Sequence, residues 1–283
     1  MYFPKKFDLN RAIEVGELIL QAYDQFEAYK KGKAWKLENG YSLVTELCYR
    51  EGTEKSEGRG NNFFDFDFLN LSSKEKQKAK EVPIGFIARR KRNLFLIFRG
   101  TSTDMEWVRN FMINLVPYSQ PAFGKVHNGF LTTYKMFQQI IGDTLADSPR
   151  GSRLFIAGHS LGGALATIAL PDIEMRLKRK VKALYTYGSP RIGDDAFVTA
   201  FNQHFASKSF RVVNTEDLVG SIPPPVPIAG SIGGYFSHVD TPVDCTIQQE
   251  GTEKNHNIQT YLGALKDAKA KKGFLANLKF WYV

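Results

Sequence analysis

Apolar residues at Leu9, Ala12, Ile13, Leu20, Tyr23 and Phe26 fall on one face of a 3.6-residue period, with Asp8 and Asn10 available to cap its start. The spacing predicts an amphipathic helix over Leu9–Tyr29. From Tyr41 to Tyr49 the period drops to two, the alternation of a half-buried strand. Glu51–Asn62 then runs through glycines and charges without an apolar anchor, as a loop does. Val82–Ala88 and Leu94–Phe98 are apolar runs of strand length joined by the basic turn Arg89–Asn93.

Between Arg153 and Leu170 come a short apolar strand, Leu154-Phe155-Ile156-Ala157, a glycine-bracketed turn, and a helix of small residues over Leu161–Leu170. Strand, turn and helix in that order are the unit of an α/β sheet. Ala183–Gly188 and Phe210–Val213 repeat the strand signal after helical stretches, so the expected fold is α/β, a mostly parallel central sheet with helices on both faces. No repeat, low-complexity tract or linker interrupts the chain, and residues 1–283 are expected to form a single domain.

Composition fits that picture: 283 residues, of which 43% are apolar, suffice for one large core. Lys and Arg exceed Asp and Glu by 38 − 29 = 9, and the pI is near 9.4. An excess of this size suits an anionic partner, but the basic residues are scattered over Lys30–Lys36, Lys74–Lys80, Arg89–Arg92, Arg176–Lys182 and Lys266–Lys272. No nucleic-acid motif accompanies them, so no nucleic-acid partner is expected. Two cysteines, Cys48 and Cys245, provide neither a disulfide framework nor zinc-ligand spacing, and leave room for one bridge. The start, Met-Tyr-Phe-Pro-Lys-Lys, lacks the apolar run of a secretory signal, and no apolar stretch approaches the ~18 residues of a membrane span. The expected location is the cytoplasm or the periphery of a membrane.

The turn after the Leu154 strand reads Gly158-His159-Ser160-Leu161-Gly162-Gly163, a Gly-x-Ser-x-Gly nucleophile elbow. A serine on so sharp a turn brings neighbouring backbone into contact, and glycine at 158 and 162 removes the side chains that would collide. Its hydroxyl stands at the positive end of a helix, where developing negative charge is favoured. Ser160 needs a base to take its proton and an acid to orient that base. Chain order in such hydrolases is serine, acid, histidine, which excludes His127 and disfavours His204, while His159 cannot fold back onto its neighbour. His238 and His256 remain. For the acid, Asp217 follows the Phe210 strand closely, and Asp194 follows the Leu184 strand at a greater distance.

From Leu94 to the Tyr261 region the chain resembles the class 3 (fungal-type) lipases of the α/β-hydrolase superfamily. Four motifs carry the resemblance: Phe98-Arg99-Gly100-Thr101, Val126-His127-Asn128-Gly129-Phe130, Gly158–Gly163 and Tyr187-Gly188-Ser189-Pro190-Arg191-Ile192-Gly193. It implies an α/β-hydrolase fold with a helical lid and no cofactor or metal. Asn214-Thr215-Glu216-Asp217-Leu218-Val219-Gly220-Ser221-Ile222-Pro223 matches the run that holds the family's acid, which implies Asp217. His256-Asn257-Ile258-Gln259-Thr260-Tyr261-Leu262 resembles the segment that follows the family's base, which implies His256, and Tyr235–Asp240 resembles a separate segment whose histidine is not catalytic. Asn255 and Asp240 depart from the family pattern. His127 is structural by the same resemblance.

Acyl transfer also needs N–H donors aimed at the developing oxyanion, and the residue after the nucleophile, Leu161, supplies one. The resemblance implies Thr101 as the other, with Gly100 letting that backbone approach. Ser102–Pro117 sets Trp107, Phe111 and Met112 among charges at helical spacing, and the resemblance makes it a lid over the serine. The Lys266–Lys272 run and the aromatic end Phe274–Val283 suit either a bilayer surface or docking on the body. The expectation is a serine carboxylester hydrolase acting on acylglycerol-type esters through a Ser-His-Asp triad and a covalent acyl-enzyme. A phospholipase A1 or galactolipase would use the same machinery, and a catalytically silent hydrolase fold would serve as a lipid- or protein-binding module. Lipid ester and peripheral lipid-surface contact are the expected partners, and oligomeric state is left open.

Overall fold

The computed structural model describes residues 1–50, 81–101, 114–120, 122–223, 235–239 and 241–279. Helix α1, Leu9–Lys30, opens on Asp8, whose carboxylate accepts from Arg11 N at 3.0 Å. Strands β1 (Ser42–Arg50), β2 (Glu81–Arg90) and β3 (Asn93–Phe98) pair antiparallel in sequence. From β3 onward the pairing turns parallel, through β6 (Arg153–His159), β7 (Val181–Tyr187), β8 (Ser209–Asn214) and β9 (Pro242–Cys245). Among the described residues the sheet has seven strands in the order β1-β2-β3-β6-β7-β8-β9. The short strands β4 (Leu115–Pro117) and β5 (Lys125–His127) form a separate antiparallel pair.

Strands buried on both faces read as unbroken apolar runs, and β3 is such a strand, buried along its whole length. Leu94, Leu96 and Phe98 face one way, into a cluster with α2 (Asn128–Asp147), α3 (Leu161–Pro171) and α4 (Asp195–Phe205). Phe95 and Ile97 face the other way, with α1 and the C-terminal helix α6 (Ile258–Lys279). This is the predicted mostly parallel sheet with helices on both faces. Helix α3 is buried over its full length, which its small residues Gly162, Gly163, Ala164, Ala166 and Ala169 permit. A π-helical turn, Asp172–Arg176, extends it, held where buried Asp172 accepts from Tyr134 Oη at 2.7 Å and from Arg176 Nε at 2.7 Å.

Three expectations change. Leu115–Pro117 is a strand and not the end of a helix: Leu115 pairs with His127, and proline disfavours helix in the residue before it. Asp194 caps α4, accepting from Phe197 N at 2.8 Å and from Lys125 N at 3.0 Å, so its carboxylate is spent on backbone. Cys48 and Cys245 are both free thiols, one on β1 and the other on β9, the two edge strands of the sheet. The start of the Lys266–Lys272 run docks on the body, with Lys266 Nζ 3.0 Å from Glu17 Oε1 and Tyr261, Leu262 and Leu265 buried among the residues of α1. The proposed lid residues Trp107, Phe111 and Met112 and the loop Glu51–Asn62 lie outside the described residues.

Candidate active site

Strand β6 passes into α3 through Ser160, whose φ of +56° and ψ of −127° are unusual for a residue with a Cβ. Glycines on either side make the turn sterically feasible. A Cβ on Gly158 would stand 2.0 Å from Gly162 O, and one on Gly162 would stand 2.4 Å from Arg99 O and 2.5 Å from Phe98 O. The elbow is thus pressed against itself and against the end of β3. Ser160 is 2% exposed, its side chain makes no capping bond to α3, and its N–H donates to Tyr187 O at 2.9 Å.

That last bond ties the serine to the end of β7, where the acid and the histidine also converge. A Cβ on Gly188, the next residue, would lie 2.7 Å from Asp217 Oδ2 and 3.0 Å from His256 Cε1. His256, at the end of the short helix α5 (Thr252–His256), bonds through Nδ1 to Asp217 Oδ2 at 2.7 Å. Its Nε2 is buried and has no hydrogen-bond partner among the described residues, the Ser160 hydroxyl included. An unengaged base is common before substrate arrives.

Asp217 is held from three directions. Oδ1 accepts from Val219 N at 2.9 Å, and Oδ2 accepts from both His256 and the Tyr261 hydroxyl. Burial, and then the Asp217 charge, hold the Tyr261 phenol well above its ordinary pKa, so it remains a donor. Buried Asn214 fixes the loop that carries the histidine: its Oδ1 accepts from Ile247 N at 2.9 Å, and its Nδ2 donates to Ile247 O at 2.9 Å and Asn255 O at 3.1 Å. Asn255 in turn accepts from Gln249 N at 2.7 Å, so the departure from the family pattern there is a loop brace.

The remaining histidines are engaged elsewhere. His238 Nε2 lies 2.6 Å from Gly220 O with no carboxylate bonded to the ring among the described residues, and burial together with Arg211 brings its pKa down to about 3. His127 caps α2 through Nδ1, and His204 stacks on Phe123 at 5.9 Å between ring centroids.

Leu161 is the first residue of α3, where an N–H has no acceptor within the helix, and it is fully buried. Thr101 follows Gly100, which lies so close to the elbow that a Cβ there would be 2.7 Å from Ser160 Cβ. Neither N–H has a backbone acceptor among the described residues. The Gly100 carbonyl, on the same peptide as the Thr101 N–H, accepts from Arg99 Nη1 at 2.6 Å. Arg99 is itself 1% exposed, bonded through Nε to Pro83 O at 2.9 Å and lying over the Phe26 ring at 3.7 Å. Sequence reasoning passed over Arg99, Tyr261 and Tyr23. Arg99 and Tyr261 stand within the quoted motifs and Tyr23 on the apolar face of α1, but nothing local to any of them shows its partner.

Among the described residues no group of His, Cys, Asp and Glu is placed to hold a metal ion, and no helix is long and apolar enough to cross a membrane. Residues 95–226 match the family model described as lipase (class 3). A lipase of Rhizomucor miehei is 32% identical over 142 residues, 47% of this chain and 38% of that protein. A chloroplastic phospholipase A(1) of Arabidopsis thaliana is 28% identical over 155 residues, 47% of this chain and 34% of that protein. The chain thus spans well under half the length of these curated relatives. The crystal structure of a Rhizomucor miehei lipase with its propeptide superposes with a TM-score of 0.60 at 20% identity, covering 93% of this chain and 80% of the other, and shows the same fold. The elbow, the Phe-Arg-Gly-Thr strand end and the Asn214–Pro223 run all lie inside the residues that match the class 3 lipase model.

Proposed function

We propose that the protein is a serine carboxylester hydrolase of the lipase type, acting on acylglycerol esters. One observation carries the reading: an imidazole with Nδ1 on a buried carboxylate and Nε2 bare lies over the strand end to which the elbow serine is bonded. In that arrangement His256 Nε2 takes the Ser160 proton as Oγ attacks the ester carbonyl, and Asp217 holds the ring in the tautomer that leaves Nε2 free. The tetrahedral oxyanion is met by the N–H groups of Leu161 and Thr101. Its collapse returns the proton to the departing alcohol and leaves an acyl-Ser160, which water then hydrolyses by the same route.

The relative named a phospholipase A(1) favours a second reading within the same chemistry, an acylhydrolase that prefers phospholipid esters. A lipid surface is the physical form of either substrate, and a protein of net charge +9 is suited to an anionic one. The test has two parts. A fluorophosphonate should label the intact protein and fail to label Ser160→Ala, and absence of label on the intact protein rejects the hydrolase reading. Fatty-acid release from triacylglycerol emulsions compared with phospholipid vesicles then separates the two substrate classes.

A further inference from the structure

His159 is the residue before the nucleophile, and the triad as described makes no use of it. It is 4% exposed, and both ring nitrogens are committed. Nε2 lies 2.6 Å from the backbone carbonyl of His256, and Nδ1 lies 2.7 Å from the hydroxyl of Tyr23 on α1. A carbonyl oxygen only accepts, so Nε2 carries the proton. In a neutral ring Nδ1 is then bare and accepts from the Tyr23 hydroxyl. Burial first, and the His256 ring at 4.6 Å second, hold the ring's pKa well below its ordinary value, in keeping with neutrality.

The Tyr23 oxygen does a second thing: it accepts from Gly100 N at 2.9 Å. Gly100 precedes Thr101, and a Cβ at residue 100 would come 2.6 Å from the same hydroxyl. One continuous chain of hydrogen bonds therefore runs from the Gly100 N–H to Tyr23, from Tyr23 to His159, and from His159 to the main chain of His256. It crosses 136 residues of sequence at one step and 97 at the next. The helix that supplies Tyr23 lies outside the residues matched by the family model.

We propose that Tyr23 and His159 are positioning residues, a neutral hydrogen-bond relay that sets the Gly100–Thr101 oxyanion backbone in register with the base His256. The proposal rests on the hydrolase reading above. The relay touches no reacting atom. It fixes the distance between the group that receives the carbonyl's negative charge and the group that moves the proton, and errors of about 1 Å there cost up to roughly 100-fold in rate.

Tyr23→Phe keeps the ring and deletes the shared hydroxyl. It is expected to lower kcat about 10- to 100-fold with KM within about twofold, and to weaken a trifluoromethyl ketone, which mimics the oxyanion, in step with kcat/KM. His159→Gln keeps a donor toward the His256 carbonyl and should retain more activity than His159→Phe, which keeps none. Nitrogen-15 NMR of the unmodified protein reads the relay without any variant. His159 should appear as the neutral Nε2–H tautomer at pH 7, and a proton on Nδ1 overturns the proposal even where Tyr23→Phe fails to fold. A folded Tyr23→Phe with unchanged kcat, or with lower kcat and unchanged ketone affinity, also overturns it. Fluorophosphonate labelling of the unmodified protein, run alongside, separates these results from failure of the hydrolase reading, which would take the inference with it.

Discussion

On the serine side of the site backbone meets backbone, with Gly158 against Gly162 and Gly162 against Phe98 and Arg99, while Gly100 lies against the Ser160 Cβ. On the histidine side the close approach, at Gly188, is to side chains, and polar side chains do the holding, with Asp217, Tyr261, Asn214 and Asn255 bonded across loops. The two halves should therefore fail differently. A steric frame has no intermediate setting, since an added carbon must displace main chain. A hydrogen-bonded frame can lose one member and relax, at about 1–3 kcal/mol for each buried group left unpaired.

The largest expected effect tests whether the hydrogen-bonded half has an indispensable member. Asp217→Asn should lower kcat by about 10,000-fold while leaving the fold intact, because an amide donating to Nδ1 stabilises the tautomer whose Nε2 bears the proton. Hydrolysis of a soluble p-nitrophenyl ester checks this, and a loss under tenfold would move the acid elsewhere.

Gly158→Ala probes the steric half. With its Cβ 2.0 Å from a carbonyl oxygen, the variant should lose about 3 kcal/mol or more of stability, beyond ordinary overpacking, visible as a lowered thermal midpoint. A midpoint equal to the parent's would mean that the elbow gives way more easily than its packing implies.

Acid titration separates the halves through their buried histidines, His159 beside the serine and His238 near the acid loop. Both have depressed pKa values in the folded protein, His238 at about 3, while the unfolded chain takes up their protons near pH 6.5. The unfolded state then binds more protons below pH 6.5, so stability is full above that pH and lost as pH falls. For His238, with its pKa near 3, the loss is about 1.4 kcal/mol per pH unit, or roughly 2 kcal/mol by pH 5, and His159 adds to it in the same direction. His238→Gln should flatten the fall in thermal midpoint between pH 6.5 and 5, and an unchanged slope would sink this assignment.

The smallest effect is expected at Tyr261→Phe. Removing the Tyr261 hydroxyl leaves Asp217 Oδ2 bonded to His256 and Oδ1 to Val219 N, so the carboxylate stays placed beneath the imidazole. Hydrolysis of the same soluble ester should show kcat lower by about tenfold or less. A larger loss would make Tyr261 as necessary as the acid itself.

The same contrast sets what could be read from the chain beforehand. The elbow occupies six consecutive residues whose spacing states its sterics outright, and strands β3 and β6 announce themselves because burial on both faces demands unbroken apolar runs, while β7 and β8 carry the same signal interrupted by Thr186 and Arg211. The acid and base were narrowed by residue order and then named by family resemblance, since no local pattern says which loop meets which. Tyr23 lay in plain view as one apolar-face residue of α1, but its partners are 77 and 136 residues away, beyond any periodicity. The strand Leu115–Pro117 was misread because three apolar residues after a helical pattern carry no period of their own. Cys48 and Cys245 could not be placed until strand order put them on opposite edges.

Ser160 holds a left-handed backbone angle that a side chain resists at a cost of order 1–3 kcal/mol, and at this position glycine would adopt it freely. Replacing the serine by glycine should therefore raise the melting temperature of the protein while abolishing any chemistry at Oγ. Directed evolution that scored only heat resistance would discard the nucleophile as a defect, and a homologue with glycine at this turn would be one in which selection for turnover had ceased.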